Sequence, residues 1–321
     1  MVPYTVAQVD KCAFTYWYPA LADASLKSIA IALPEVVVAM LLADKIQFRE
    51  VDYPPSFVAD VKAAIASLGG KVFVKLDWSC PKDAKWILGN SLACVCLEDM
   101  VLALKASDFI LHDLTAAYDE CVDVSDDRRR PETFHLVLKK WANCYDSMHF
   151  RCFVKDRRLV GITQRNCGDY YAFLTDETTQ DELCNAIGAF YSRYLLHAEV
   201  VDASFVFDVY VDKSHRVFLL DINVFGAVTD PLLFTWDELA TWRHDEDAID
   251  FRVVDSETAI VPDAYSQYKV PVDLVDHLAT PGGFDDFMRQ VAKDNAKDAD
   301  DDDEDDEDEE DDEDDGVEWS S

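Results

Sequence analysis

Apolar residues recur along this chain in two rhythms, one near 3.6 residues and one of two, and each predicts its own kind of element. Phe57, Val61, Ile65 and Leu68 keep helical spacing and run into Gly69-Gly70, so 56–68 is expected as an amphipathic helix with a glycine stop. Apolar stretches at 36–43 and near 97–106 predict two more helices. Thr179-Gln180-Asp181-Glu182 has the form of a capping box, opening a helix to about 197 with Leu183, Ile187, Phe190 and Tyr194 on its inner face. Phe284, Phe287, Met288 and Val291 suit a last helix.

Alternation predicts the strands. The run 71–78 puts Lys71, Phe73, Lys75 and Asp77 on one face. Phe109-Ile110-Leu111, 135–141 and Phe251-Arg252-Val253-Val254 read as further strands. One hairpin joins 150–154 to 159–165 across Lys155-Asp156-Arg157-Arg158. Another joins 205–211 to 217–226 across Asp212-Lys213-Ser214-His215-Arg216. Leu232 to Leu239 reads as a strand-to-helix passage, 119–132 as a surface loop, and the aromatic-rich 12–19 as a segment packed on the main body. The 321 residues suffice for one large or two modest domains.

Charge narrows the partners. The net charge is −35, but residues 298–315 alone carry 17 acids, which leaves −18 for the remainder. A body still this acidic repels nucleic-acid phosphate and anionic membranes, so neither is expected as a partner, and a basic protein surface suits better. The tail from about 294 has too few apolar residues to fold alone. Nine cysteines show no metal-finger spacing and no even pairing, which points to free thiols in a reducing compartment. The apolar run 29–43 is broken by Pro34 and Glu35 and is too short to span a bilayer; a cytosolic monomer is expected.

The candidate chemistry sits in the second hairpin. Asp208, Asp221 and Asn223 are oxygen-bearing side chains inside otherwise apolar strands. Asp221 and Asn223 share a face about 7 Å apart. Asp208 joins them only in one register: without a bulge, an even loop of 213–216 puts Asp208 opposite Asp221. They lie either on a solvated face or at a site suited to Mg²⁺ beside nucleotide phosphates. Strand lysines at 75 and 139, a loop lysine at 82, and strand arginines at 151 and 165 add cations. No P-loop, no G-x-G-x-x-G, no catalytic triad and no H-E-x-x-H occurs, so any phosphates would be held by side chains. His112, His135, His149 and His197 are scattered and are read as surface or core residues.

Through most of 10–275 the chain resembles the cell-division-cycle protein 123 family of eukaryotes. The resemblance rests on Cys12-Ala13-Phe14-Thr15-Tyr16-Trp17-Tyr18-Pro19, Gly69-Gly70-Lys71-Val72-Phe73-Val74-Lys75-Leu76-Asp77-Trp78-Ser79 and Leu136-Val137-Leu138-Lys139-Lys140-Trp141. It continues in Phe150-Arg151-Cys152-Phe153-Val154-Lys155, Gly161-Ile162-Thr163-Gln164-Arg165, Phe205-Val206-Phe207-Asp208-Val209-Tyr210, Leu220-Asp221-Ile222-Asn223 and Leu232-Leu233-Phe234-Thr235-Trp236.

The resemblance implies an ATP-grasp-like fold with two α+β lobes around ATP and Mg²⁺. By it, 1–55 would be an N-terminal segment on the body, 56–140 the first lobe, 141–293 the second, and 294–321 a disordered acidic tail. It also implies an assembly chaperone that binds the C-terminal region of the γ subunit of eukaryotic translation initiation factor 2, supporting initiation and cell-cycle progression. By position, Lys75 and Lys82 would meet phosphates, Lys139 with Trp141 would sit at the adenine hinge beside Lys140, and Arg151 and Arg165 would approach the triphosphate. Asp208, Asp221 and Asn223 would hold magnesium. The chain departs from the family where Asp77 replaces a frequent Asn, Cys80 an Ala, His135 an acidic residue, Lys139 an Arg, and Val224 a Pro. The alternative from another class is an ATP-grasp carboxylate ligase working through an acyl-phosphate.

Overall fold

The computed structural model describes residues 2–44, 49–125, 127–243 and 249–261, all within a compact unit spanning 1–269. The expected helix around Phe284 and the acidic tail lie outside the described residues. Two short helices open the chain, α1 (Val6–Cys12) and α2 (Phe14–Leu21). Then come β1 (Ser28–Leu33), α3 (Glu35–Leu42), α4 (Pro55–Ser67), β2 (Val72–Lys75), β3 (Ala93–Cys94), α5 (Leu97–Lys105), α6 (Asp108–Ala116) and β4 (Phe134–Lys140). The second half holds β5 (His149–Lys155), β6 (Arg158–Gln164), α7 (Glu177–Tyr194), β7 (Phe205–Val211), β8 (Val217–Val224), α8 (Trp236–Thr241) and β9 (Asp250–Arg252).

Local chemistry explains most of these boundaries. Pro55 starts α4 at its first position, where a missing N–H costs nothing. Gly69 and Gly70 end it at φ of 100° and 84°, and Gly70 N donates to Ile65 O at 2.9 Å. The capping-box reading of α7 falls three residues late, because Asp176 accepts from Thr179 N at 2.9 Å and Thr179 Oγ1 at 3.0 Å. The expected strand at 109–111 is instead the first turn of α6. Ser107 caps it, taking Ile110 N on its hydroxyl at 3.3 Å, so a short apolar run that fits either period becomes helix. Leu232 to Phe234 is likewise not a strand; Thr235 and Glu238 form the capping box of α8 immediately afterwards.

Two sheets result. The first has the order β1-β4-β2-β3 and is antiparallel throughout. The second has the order β8-β7-β5-β6-β9, antiparallel except for the parallel pair β6–β9. The first sheet buries Val72, Val74, Leu136 and Leu138 against α3, α4, α5 and α6. The second buries Phe205, Phe207, Val209, Leu219 and Ile222 with α1, α2 and α7. Val137 of β4 belongs to this second core, so the two lobes share buried surface. The aromatic stretch at 12–19 packs on the body through Cys12, Phe14 and Trp17, which are buried, while Tyr16 is exposed. Gly161 on β6 admits the Phe234 ring, which a Cβ there would meet at 2.7 Å.

The second hairpin keeps its pairing by an unexpected route. Asp208 faces Asp221, as the site reading needs. The loop, however, is odd: Val211 pairs with Val217 across five residues, 212–216. One extra residue, Leu220, bulges out of β8 between the Val209–Leu219 and Asp208–Asp221 pairs and restores the face. The even loop was the wrong device for the right register. The nine cysteines are free thiols, and no described helix is long and apolar enough to cross a membrane.

Candidate functional site

Lys75 ends β2 and Lys139 lies near the end of its neighbour β4. Phe73 pairs with Lys139 and Lys75 with Val137, so both lysines project from one face of the first sheet. Both are buried, Lys75 to 1% exposure, and both reach across to β8. Lys75 Nζ donates to Asp221 Oδ2 at 2.6 Å. Lys139 Nζ donates to the carbonyl of Leu220, the bulged residue. The Phe14 ring of α2 lies against both ammonium groups, 5.8 Å from Lys75 and 4.9 Å from Lys139, within cation–π reach. Burial first, and the neighbouring Lys75 charge second, push Lys139 down to about 7.

The second sheet supplies its own cluster. Arg151 on β5 sits opposite Asp208 on β7 and forks onto it, Nε to Oδ1 and Nη2 to Oδ2, each at 2.8 Å. Its Nη1 donates to the Asp230 carbonyl at 2.7 Å. Arg165, just past β6, brings Nε to 3.3 Å from Asp208 Oδ2. Burial alone would raise the Asp208 carboxyl, but Arg151 and then Arg165 outweigh it and hold the group well below the usual carboxylate range. Lys82 opens the short helical turn Lys82–Leu88 and stacks its ammonium 5.1 Å from the Phe109 ring centroid. Burial, then the Arg165 charge, push it down to about 8.

The structure thus gathers Lys75, Lys139 and Asp221 in one group, and Arg151, Arg165 and Asp208 in another, with the field of the second reaching Lys82. The Asp208–Asp221 pair joins them. Lys140 and Trp141 stay apart. Lys140 is exposed on the face of β4 opposite Lys139, while Trp141 lies under Lys71 at 4.6 Å and donates to Asn143 Oδ1 at 3.2 Å. Asn223, two residues beyond Asp221, has a buried amide Nδ2 without a hydrogen-bond partner.

The donor set suits a hard divalent cation with a phosphate ligand. Among the described residues no three His, Cys, Asp or Glu side chains gather into a metal cage. Two carboxylates and an amide are what Mg²⁺ commonly takes from protein when phosphates and water complete its octahedron. The orphaned Asn223 Nδ2 is an N–H donor that would suit an acceptor such as a phosphate oxygen, and only the Oδ1 of that side chain could ligate a cation.

Three residues beside the site were given no part in it from the sequence. Phe14 is one, hidden in an aromatic block that reads as packing. Asp77 is another: its Oδ1 accepts from Thr15 Oγ1 at 2.8 Å, its Oδ2 from His135 N at 3.0 Å, and its carbonyl from Phe14 N at 2.9 Å. Asp77 therefore fixes the start of α2, which has no side-chain cap of its own, and with it the Phe14 ring. His135 Nδ1 lies 3.0 Å from the same Oδ2, and that hydrogen bond raises the imidazole pKa. Two departures from the resembled family are thus one contact. His149 is the third, two residues before Arg151, with a buried and unpartnered Nε2 and a pKa lowered by burial.

The family model described as D123 matches residues 49–278. The chain belongs to the D123 family. Among D123 relatives, the "Translation initiation factor eIF2 assembly protein" of Xenopus tropicalis is 36% identical over 310 residues, covering 84% of this chain and 91% of that protein. The "Cell division cycle protein 123" of Phaeosphaeria nodorum is 44% identical over 183 residues, 56% of this chain and 47% of that one. The solved structure of C-terminally truncated Cdc123 from Schizosaccharomyces pombe superposes with a TM-score of 0.72 at 38% identity, covering 79% of this chain and 99% of that one. The fold is the expected α+β one, with two sheets meeting at a charged junction, and it is shared with that solved Cdc123 structure over most of the chain.

Proposed function

We propose that this D123 protein binds ATP with Mg²⁺ between its two sheets and acts as an assembly chaperone for eIF2, through the γ subunit. The observation that carries the nucleotide reading is the convergence of five cations, Lys75, Lys82, Lys139, Arg151 and Arg165, on the facing carboxylates Asp208 and Asp221. Side chains from both sheets would take the place of a P-loop. Lys75 would turn from Asp221 to a phosphate oxygen, Lys82 would meet another, and Arg151 and Arg165 would approach the triphosphate from their places on Asp208, while Asp208, Asp221 and Asn223 would hold the metal. A magnesium ion there would neutralise phosphate charge and let the two carboxylates stay ionised.

The client reading is supported by the name of the Xenopus relative, the name of the Phaeosphaeria relative supports a part in the cell division cycle, and the γ subunit is the client the family resemblance implies. An acidic body suits a basic client surface. We take the protein to be a cytosolic monomer in which ATP shapes a binding surface and is turned over slowly or not at all.

Calorimetric titration with ATP and Mg²⁺ tests the site, with Asp221→Ala losing most of the affinity. Equal binding by both proteins rejects the assignment. A pull-down with purified eIF2 γ subunit, with and without ATP·Mg, tests the client; failure to retain it while the protein stays folded rejects the chaperone reading. Rapid ADP release with a carboxylate and an amine would favour the ligase instead.

A further inference from the structure

The loop that carries Lys82 is fastened at both ends to a single helix. At its start, Ser79 N and Ser79 Oγ donate to the two oxygens of Asp113, each at 2.8 Å. At its end, Asp83 accepts from Ser107 Oγ at 2.6 Å and from Asp108 N at 2.8 Å. Between these ties Lys82 stacks on Phe109. Phe109 and Asp113 stand four residues apart, one turn of α6, and Ser107 is its cap. Within the loop, Leu76 N donates to Ser79 O at 2.9 Å and Ala84 N to Pro81 O at 3.1 Å, so little slack remains.

Both tying carboxylates are buried, Asp113 at 3% and Asp83 at 8% exposure. Burial of a carboxylate is costly unless hydrogen bonds offset it. Here Ser79 supplies them at one end, and Ser107 with the α6 N-terminus at the other. Neither Asp belongs to the cluster of cations and carboxylates described above, yet the loop between them presents Lys82 to the charges of Arg165, Arg151 and Asp208. A carboxylate that only capped α6 would account for Asp83. It would not account for Asp113, which sits in the body of the helix and spends both oxygens on the loop.

We propose that Asp83 and Asp113 are positioning residues that splint the 79–83 loop to α6 and thereby hold the Lys82 ammonium where nucleotide phosphate binds. The splint rests on the nucleotide reading and deepens it by naming what sets the reach of one phosphate-binding cation. Without it the lysine keeps its charge but loses its place, and the entropy of the freed loop is spent on each binding event.

The test is a double-mutant cycle on ATP·Mg affinity, measured by calorimetry on the full chain. Asp113→Ala is expected to weaken binding about tenfold, the equivalent of a single well-made hydrogen bond. In a Lys82→Ala background the same substitution should do almost nothing further, because the group it positions is gone; in a Lys75→Ala background its effect should multiply in full. Asp113→Asn keeps an acceptor for Ser79 and should recover most of the loss. A purely structural role would instead weaken both backgrounds alike. Full multiplication with Lys82→Ala, or wild-type affinity in Asp113→Ala, overturns the splint. Should Asp113→Ala fail to fold, Ser79→Ala removes one tie from the other side and carries the same cycle. A wild-type protein that binds no ATP·Mg removes the nucleotide reading and the splint together, whereas binding with an additive cycle removes the splint alone.

Discussion

The two charge clusters at the junction solve the same problem in different ways. Within the second sheet, Asp208 is neutralised by arginines of its own lobe, Arg151 through a bidentate fork and Arg165 at its side. In the first sheet, Lys75 and Lys139 find no carboxylate on their own strands and cross to β8 for Asp221 and the Leu220 carbonyl. The first arrangement is closed and would survive a shift between the lobes. The second exists only while the lobes are together, so it couples them. The residue types follow: arginine's fork suits a fixed buried pair, and lysine's compact ammonium on a flexible stem suits a contact that must be exchanged.

The largest expected effect tests the closed pair. Asp208→Ala leaves Arg151 buried and uncompensated and should cost about 3–5 kcal/mol of folding stability in urea denaturation. A loss below about 1 kcal/mol would mean that the cluster is not self-contained. Lys75→Met comes next. Asp221 is 21% exposed at its side chain and can recover water, so about 1–3 kcal/mol is expected. Amide exchange should rise along β2 and β8 more than along β5 and β7; a uniform rise would erase the distinction between coupling and closed clusters.

A third contrast is in titration. The Arg151 pKa is held above its ordinary value by Asp208 against the effect of burial, whereas the Lys139 pKa falls from 10.5 to about 7. Between those two values the unfolded chain binds the proton that the folded chain has released, so Lys139 makes stability rise with pH from about 7 to 10.5. The denaturation midpoint of wild type minus that of Lys139→Met, followed across that window, should increase with pH. A constant difference would place the Lys139 charge state the same in both forms. The smallest effect belongs to Lys140→Ala. Exposed on the far face of β4, Lys140 should leave ATP·Mg affinity within about threefold of wild type.

The sequence made some of this legible and hid the rest for definite reasons. Alternation placed Lys75, Lys139, Arg151, Asp208 and Asp221 in strands, because a strand's period can be read without its neighbours. It could not say that Lys139 would meet a backbone carbonyl, since no side-chain pattern marks an acceptor on another lobe. The register of Asp208 was right while its loop was wrong; a bulge leaves no trace in a run of apolar residues such as 217–220. Phe109-Ile110-Leu111 read as strand because three apolar residues carry no period. The information lay upstream in Ser107, which caps the helix. His135 and Asp77 looked like separate oddities until the fold brought them to one contact.

The bulge at Leu220 and the odd tip of the hairpin are two departures from plain pairing that cancel. In a plain hairpin every residue gained or lost at the tip turns the carboxylate on the far strand to the opposite face. Here the strand is reset after the tip, at a residue whose carbonyl is gripped by Lys139. The five-residue tip at 212–216 and the one-residue bulge therefore compensate each other, so that deleting one tip residue while the bulge persists turns Asp221 away from Asp208, and deleting the bulged residue as well brings it back.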